Sequence, residues 1–306
     1  MSEMKTITAK PNIMLFFLML YYFVIGRNIV QPYLLTPIYD VLGIYPLVGW
    51  AGTFNAFFRD LGLPILLYFL YALLTKQDIR FSFSLSRLSL TNVLYIAVMT
   101  LAVRVIFNLF ESGVPFLFGS GSVQMQTFRF MDIGQSLLHN AILATLFEEA
   151  VFRGFLWGEY RRQGVGYWKV ALVTGLFFGI IHLGTFTMIH TTFAGIFFYA
   201  PLIYFTRSIW APVLHHALMN GLYTLISPTF YINHQIDFDA FMPTYLIILV
   251  LATLALIPAS IFCAKKFYLE NRHNIQIKEN LPKESRAFRV SYWILIVVMI
   301  ATFLRA

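Results

Sequence analysis

The sequence predicts an all-α, polytopic membrane protein, a bundle of about nine helical spans with its N-terminus in the cytoplasm. Composition is the first observation: 59% of residues are hydrophobic, 12% are charged and mean hydropathy is +0.72. A soluble domain carries about a quarter charged residues, which excludes that class. The second is run length, since continuous apolar stretches reach what a hydrocarbon core of about 30 Å requires of a helix. An outer-membrane barrel would instead show short alternating strands. The third is the distribution of Lys and Arg, which collect in alternate loops as the positive-inside rule demands. This distribution, with anionic lipid, also accounts for the net charge of +8 without nucleic acid.

Taken in order, Lys5 and Lys10 precede the apolar run Ile13 to Val24, and no small-residue cleavage pattern follows, so an uncleaved first span is expected. Val30 to Asp60, mixed and rich in Gly, Pro and aromatics, reads as a loop with interfacial or re-entrant pieces. The second span is Leu61 to Thr75. Phe81 to Ser86 alternates apolar and hydroxyl residues, which suggests a short extended piece at the membrane surface. The third span, Leu90 to Phe110, carries Arg104, and Gly119 to Ser122 is a flexible loop without phosphate-cradle spacing. Span four runs from Gln135 to Tyr160, five from Trp168 to Leu183, six from Phe186 to Phe205 and seven from Ser208 to Leu225. Span eight is Met242 to Ala264, a polar segment covers Phe267 to Arg289, and the last span is Tyr292 to Leu304. One structural unit is expected, with N-terminal spans in 1–134, a core in 135–225 and C-terminal spans in 226–306. Cys263 is the only cysteine, which excludes an internal disulfide and a multi-cysteine metal site.

Charge inside span four marks function. An ionisable residue at the centre of a bilayer costs roughly 2.5 to 3.5 kcal/mol even on the lenient insertion scale. Glu149 and Arg153 are four apart and share a helix face, so they can pair, while Glu148 points about 100° away. The pair reads as structural and Glu148 as the reactive carboxylate. His182 lies in span five, and His216 and Asn220 share a face of span seven. Counted from the cytoplasmic loops at about 1.5 Å per residue, all four reach one buried layer, roughly 13 to 21 Å deep. Gly154 with Gly158, and Gly175 with Gly179, form small-xxx-small pairs that let helices approach closely. His139 and His190 read as interhelical hydrogen bonders, and Glu159, Arg161 and Arg162 as markers of the cytoplasmic edge.

In that order on successive spans, Glu148-Glu149-x-x-x-Arg153, Phe178-x-x-x-His182 and His216-x-x-x-Asn220 resemble the CPBP family of intramembrane proteases. It is also called the Abi or CAAX-protease and bacteriocin-processing family, and is related to the Ras-converting CAAX endopeptidase. The resemblance covers Gln135 to Leu225. It implies peptide-bond hydrolysis in which Glu148 and His182 activate water, His216 and Asn220 stabilise the oxyanion, and Glu149 and Arg153 orient the first carboxylate. One Glu and two His could also supply three zinc ligands, Glu148, His182 and His216. There is no His-Glu-x-x-His, and the resemblance favours metal-independent, glutamate-assisted chemistry.

Neither a Gly-Asp dipeptide nor Gly-x-Ser-x-Gly is present for an aspartyl or serine alternative. The expected partners are a peptide or membrane-protein substrate and the lipid bilayer, with oligomeric state left open. The expected home is a bacterial plasma membrane, since no endoplasmic-reticulum retention signal ends the chain. The rival readings are a non-catalytic immunity or scaffold protein of the same shape and a transporter.

Overall fold

The structure, a computed structural model, describes residues 6–42, 58–118, 133–134, 137–182, 185–226, 238–275 and 282–305. All regular elements among them are helical, and two isolated bridges, Ile7 with Glu284 and Leu85 with Ser208, complete the backbone pairing. Among the described residues, four helices are long and apolar enough to cross a membrane: Leu90–Gly113, Thr187–Thr206, Phe241–Asn274 and Arg286–Leu304. A fifth candidate is the pair Lys10–Gly26 and Asn28–Val41, bent by 55°. Leu63–Leu74 and Tyr167–Ile180 are shorter apolar helices. Many Leu, Ile and Phe side chains on these helices face outward, as lipid requires and water would penalise.

The chain divides into two compact units, each assembled from separate stretches of sequence. The first comprises 1–87, 146–212 and 274–306. Its N-terminal and C-terminal segments are joined: the Ile7 N–H donates to Lys283 O at 2.9 Å, and Asn12 Nδ2 to Phe288 O at 3.0 Å. Tyr160 completes this knot by donating its hydroxyl to Asn12 Oδ1 at 2.8 Å.

Glycines set the close contacts that hold the helix of Glu148 and that of His182. A Cβ on Gly158 would lie 2.6 Å from Ser82 O, so only glycine admits the Ser82 backbone there. On the helix Tyr167–Ile180, a Cβ on Gly179 would lie 1.8 Å from Thr192 Oγ1 and 2.8 Å from Met188 O. Both small-residue pairs therefore serve close packing, but against different neighbours: the Ile79–Phe83 segment for one, the Thr185–Tyr199 helical run for the other.

The second unit comprises 88–145 and 213–273. Its centre is the packing of Leu90–Phe118 against the 34-residue helix Phe238–Asn271, where Val105, Met242, Tyr245 and Leu249 are buried together. Asn92 and Asn271 exchange amide hydrogen bonds of 3.2 and 2.8 Å near one end of this pair. Arg104 is buried against Glu111 and stacks over Tyr223 with 5.0 Å to the ring centre.

Two expectations need correction. Phe81–Phe83 lies in a short helix, Ile79–Phe83, capped by Asp78, and Ser82 and Phe83 are buried. Only beyond Ser84, at φ +48°, does the chain extend into the bridge with Ser208. The alternation of Phe and Ser reflects a turn packed into the Gly154–Gly158 face rather than a strand.

Val30 to Leu42 is helical, continuing the first helix across its bend, despite Pro32. The end of that expected loop joins the helical turn Phe58–Gly62, while its residues 43–57 and the Gly119–Ser122 loop lie outside the described residues. The polar segment after span eight begins as helix, since the run from Phe238 continues to Asn271 before a short turn.

Candidate active site

Glu148 and Glu149 end the α-helical stretch Thr145–Glu149, after which the helix widens into π-type turns over Ala150–Leu156. Such widened turns recur at functional sites. Arg153 Nη1 donates to Glu149 Oε1 at 3.1 Å, and both side chains are fully buried. The guanidinium also lies over the rings of Phe178 and Tyr199, 4.6 Å from each centre. Room for it comes from Gly195, where a Cβ would stand 3.3 Å from Arg153 Nη2. Removing one partner of this sealed ion pair would leave an uncompensated charge, and the stacking of the guanidinium on Phe178 and Tyr199 ties its helix to its neighbours.

Glu148 faces another neighbour. His182 stands just beyond the C-terminal end of the helix Tyr167–Ile180, and its Nε2 lies 3.7 Å from Glu148 Oε2. Its Nδ1 is 2.7 Å from the Phe178 carbonyl, which can only accept. Nδ1 therefore carries the hydrogen, and in the neutral ring Nε2 presents a lone pair toward the carboxylate. The helix end behind it is tied by Tyr22, whose hydroxyl donates to Ile181 O at 3.2 Å. A quarter of the His182 side chain remains exposed, against a tenth for Glu148.

His216 and Asn220 lie in the second unit. His216 is buried at 4% exposure. Asn220 donates one amide hydrogen to the backbone carbonyl of Asn140 at 2.9 Å, which leaves its second N–H for another acceptor. The adjacent His215 has Nδ1 2.7 Å from Thr100 Oγ1, and that hydroxyl in turn donates to Ile96 O at 2.6 Å. The structure thus joins Glu148 to His182 and Glu149 to Arg153 in one unit, and anchors Asn220 on Asn140 in the other.

Residues 133–222 match the family model of type II CAAX prenyl endopeptidase Rce1-like proteins. That match covers under a third of the chain and supports its resemblance to the CPBP family there. It is also similar to the protein named "Putative membrane peptidase YdiL" of Bacillus subtilis (strain 168), 26% identical over 121 residues. That alignment covers 37% of this chain and 49% of the relative, so the chain spans about half the length of the curated protein it matches. No solved structure matches significantly.

All six residues of the CPBP motifs, Glu148, Glu149, Arg153, His182, His216 and Asn220, fall inside the matched segment. Their supports were not visible in the motif spacing, except one. Phe178 sits four residues before His182, so its carbonyl was bound to meet that ring nitrogen once the segment turned as a helix. Tyr22, Tyr199, Thr100 and Asn140 come from distant stretches that no local pattern connects.

Zinc fits poorly. Glu148 and His182 offer two donors, and among the described residues no group of three His, Cys, Asp or Glu side chains is placed to hold a metal ion. A catalytic zinc needs three protein ligands.

Proposed function

We propose that this chain is an intramembrane endopeptidase that hydrolyses a peptide bond of a peptide or membrane-associated protein with water activated by Glu148 and His182. The observation that carries the reading is the 3.7 Å approach of Glu148 Oε2 to His182 Nε2, with the Phe178 carbonyl fixing the ring. A water about 2.8 Å from both atoms, an ordinary hydrogen-bond length, sits at the apex of a triangle on that base. It donates one hydrogen to each acceptor, and its oxygen lone pair is free for the scissile carbonyl carbon.

As the carbon–oxygen bond forms, one proton passes to Glu148 or His182. The same pair then delivers it to the leaving nitrogen as the carbon–nitrogen bond breaks. His216 and Asn220 take the oxyanion-stabilising role that the family resemblance implies. Donors held ready for a developing charge are worth far more away from water than in it. Glu149 and Arg153 fix the helix that presents Glu148. The reading routes no step through a metal.

We assign the protein to a bacterial plasma membrane, with nine spans and a cytoplasmic N-terminus. Cysteine accessibility scanning, on a background with Cys263 replaced, tests that topology: both termini on one side would overturn it. For the activity, the decisive experiment is a proteomic comparison of membranes from cells carrying the parent protein and Glu148→Gln. Substrate peptides should accumulate uncleaved with the variant. Identical peptide profiles, with the variant inserted at the parent level, would refute hydrolysis and favour a scaffold of the same shape.

A further inference from the structure

Arg161 and Arg162 were expected to mark a membrane edge, yet with Arg207 they line one cavity of about 360 Å³ in the first unit. Its wall also includes Gly166, Tyr167 and Tyr204, and no Asp or Glu. We propose that this cavity binds a phosphate-bearing anion, supplied by the headgroup of an anionic membrane lipid.

Charge balance is the first argument. Arg161 Nη1 donates to the neutral Ser84 hydroxyl at 2.9 Å, and its guanidinium stacks over Phe81 at 4.3 Å. Arg207 Nη2 donates to the Asn274 carbonyl at 2.6 Å. Neither meets a carboxylate among the described residues. Arg162 does, with its Nε 3.5 Å from Glu159, but that carboxylate is outside the cavity wall and is shared with Lys10. Burial first, then Arg207 and Arg162, lowers the Arg161 pKa to about 10, still cationic at neutral pH. The cavity therefore concentrates positive charge that an anion would relieve.

Backbone geometry is the second. The helix Trp157–Arg162 closes through Gly164, at φ +77°, whose N–H donates to Arg161 O at 2.9 Å. Only glycine adopts that conformation readily. The tight turn brings the arginines beside the start of the 14-residue helix Tyr167–Ile180, where Gly166 caps without a side chain. First-turn N–H groups with no side-chain acceptor, at the positive end of a helix, favour an anion. Guanidinium forks add bidentate recognition of phosphate oxygens.

The volume exceeds a bare phosphate and leaves room for a glycerol-sized extension. Basic pockets on the cytoplasmic side are where anionic headgroups are met. None of this depends on the peptidase reading, since the lining residues are not those of the Glu148–His182 pair.

Native mass spectrometry of the delipidated, full-length protein tests the proposal, with phosphatidylglycerol, chain-matched phosphatidylcholine and inorganic phosphate as probes. Phosphatidylglycerol should be retained at least tenfold more tightly than phosphatidylcholine, and inorganic phosphate should compete with it. Arg161→Gln combined with Arg207→Gln should remove that preference, whereas Lys265→Gln combined with Lys266→Gln, an equal loss of charge elsewhere, should not. Should the arginine double variant fail to insert, Arg161→Gln alone, which breaks no backbone hydrogen bond, should still lower retention severalfold. Tight inorganic phosphate with no preference between the lipids would support the phosphate site and assign its occupant to a soluble compound. Absence of any preference in the parent protein together with no retention of inorganic phosphate, or an unchanged preference in the Arg161 variants, overturns it.

Discussion

Two carboxylates adjacent in the chain have opposite surroundings: Glu149 meets Arg153 with both side chains closed off, whereas Glu148 meets His182 with a quarter of that side chain exposed. The sealed pair is flanked by the rings of Phe178 and Tyr199 and by glycine backbone. The open pair keeps a face toward whatever enters. A group that holds helices together gains from exclusion of water. A group proposed to activate water needs access to it. One helix serves both needs because consecutive residues project in different directions.

The two carboxylates should differ most when Glu148 is replaced. Glu148→Gln should lower turnover of a substrate found by membrane proteomics by about 10² to 10⁴-fold, the usual worth of a general base, with thermal stability near the parent's. Adding His182→Ala to it should cost little more, because residues acting as a unit are non-additive. A large loss of stability in either single variant would erase the distinction between the two pairs.

Arg153→Ala should instead act on folding. Leaving Glu149 buried without the Arg153 guanidinium costs about 3–5 kcal/mol, read as a fall in thermal stability and membrane level. Replacing both Glu149 and Arg153 with leucine should restore much of that loss, since no stranded charge remains. Failure of the double variant to recover would point to the aromatic contacts of Arg153 as the dominant interaction.

Asn220→Ala should reduce turnover by about 10² to 10³-fold if its second N–H serves the oxyanion. A change in stability without a change in turnover would confine Asn220 to its bond with Asn140. Gly179→Ala should destabilise by about 1–3 kcal/mol through overpacking against Thr192 and the Met188 carbonyl. The smallest effect is expected from exhaustive chelation, which should leave turnover unchanged; recovery of a chelated, inactive protein by zinc would overturn the metal-free scheme.

Much of this was legible in the sequence for a simple reason. Lipid demands apolar runs, so helix positions such as Leu90 onward and Trp168 onward stand out, and the charges that interrupt them mark what matters. The Glu149–Arg153 contact followed from spacing alone. Its aromatic enclosure did not, because Tyr199 lies on another helix. Phe81–Ser86 misled for the opposite reason: in so short a window, alternation fits a turn as well as a strand, and the glycine face that receives it is far away in sequence. Likewise Arg104 was visible as a buried cation, but its contacts with Glu111 and Tyr223 required the fold.

The enclosure of Arg153 also bears on how the chain enters its membrane. Tyr199 is synthesised well after Arg153, so a nascent polypeptide that has reached only Arg162 offers the guanidinium Glu149 but not its full aromatic cover. Release of that segment alone into lipid would leave the Glu149–Arg153 pair without the rings that cover it. The cover of Arg153 is complete only once the two following helices have been made, so the segment's burial is a property of three helices and not of one span.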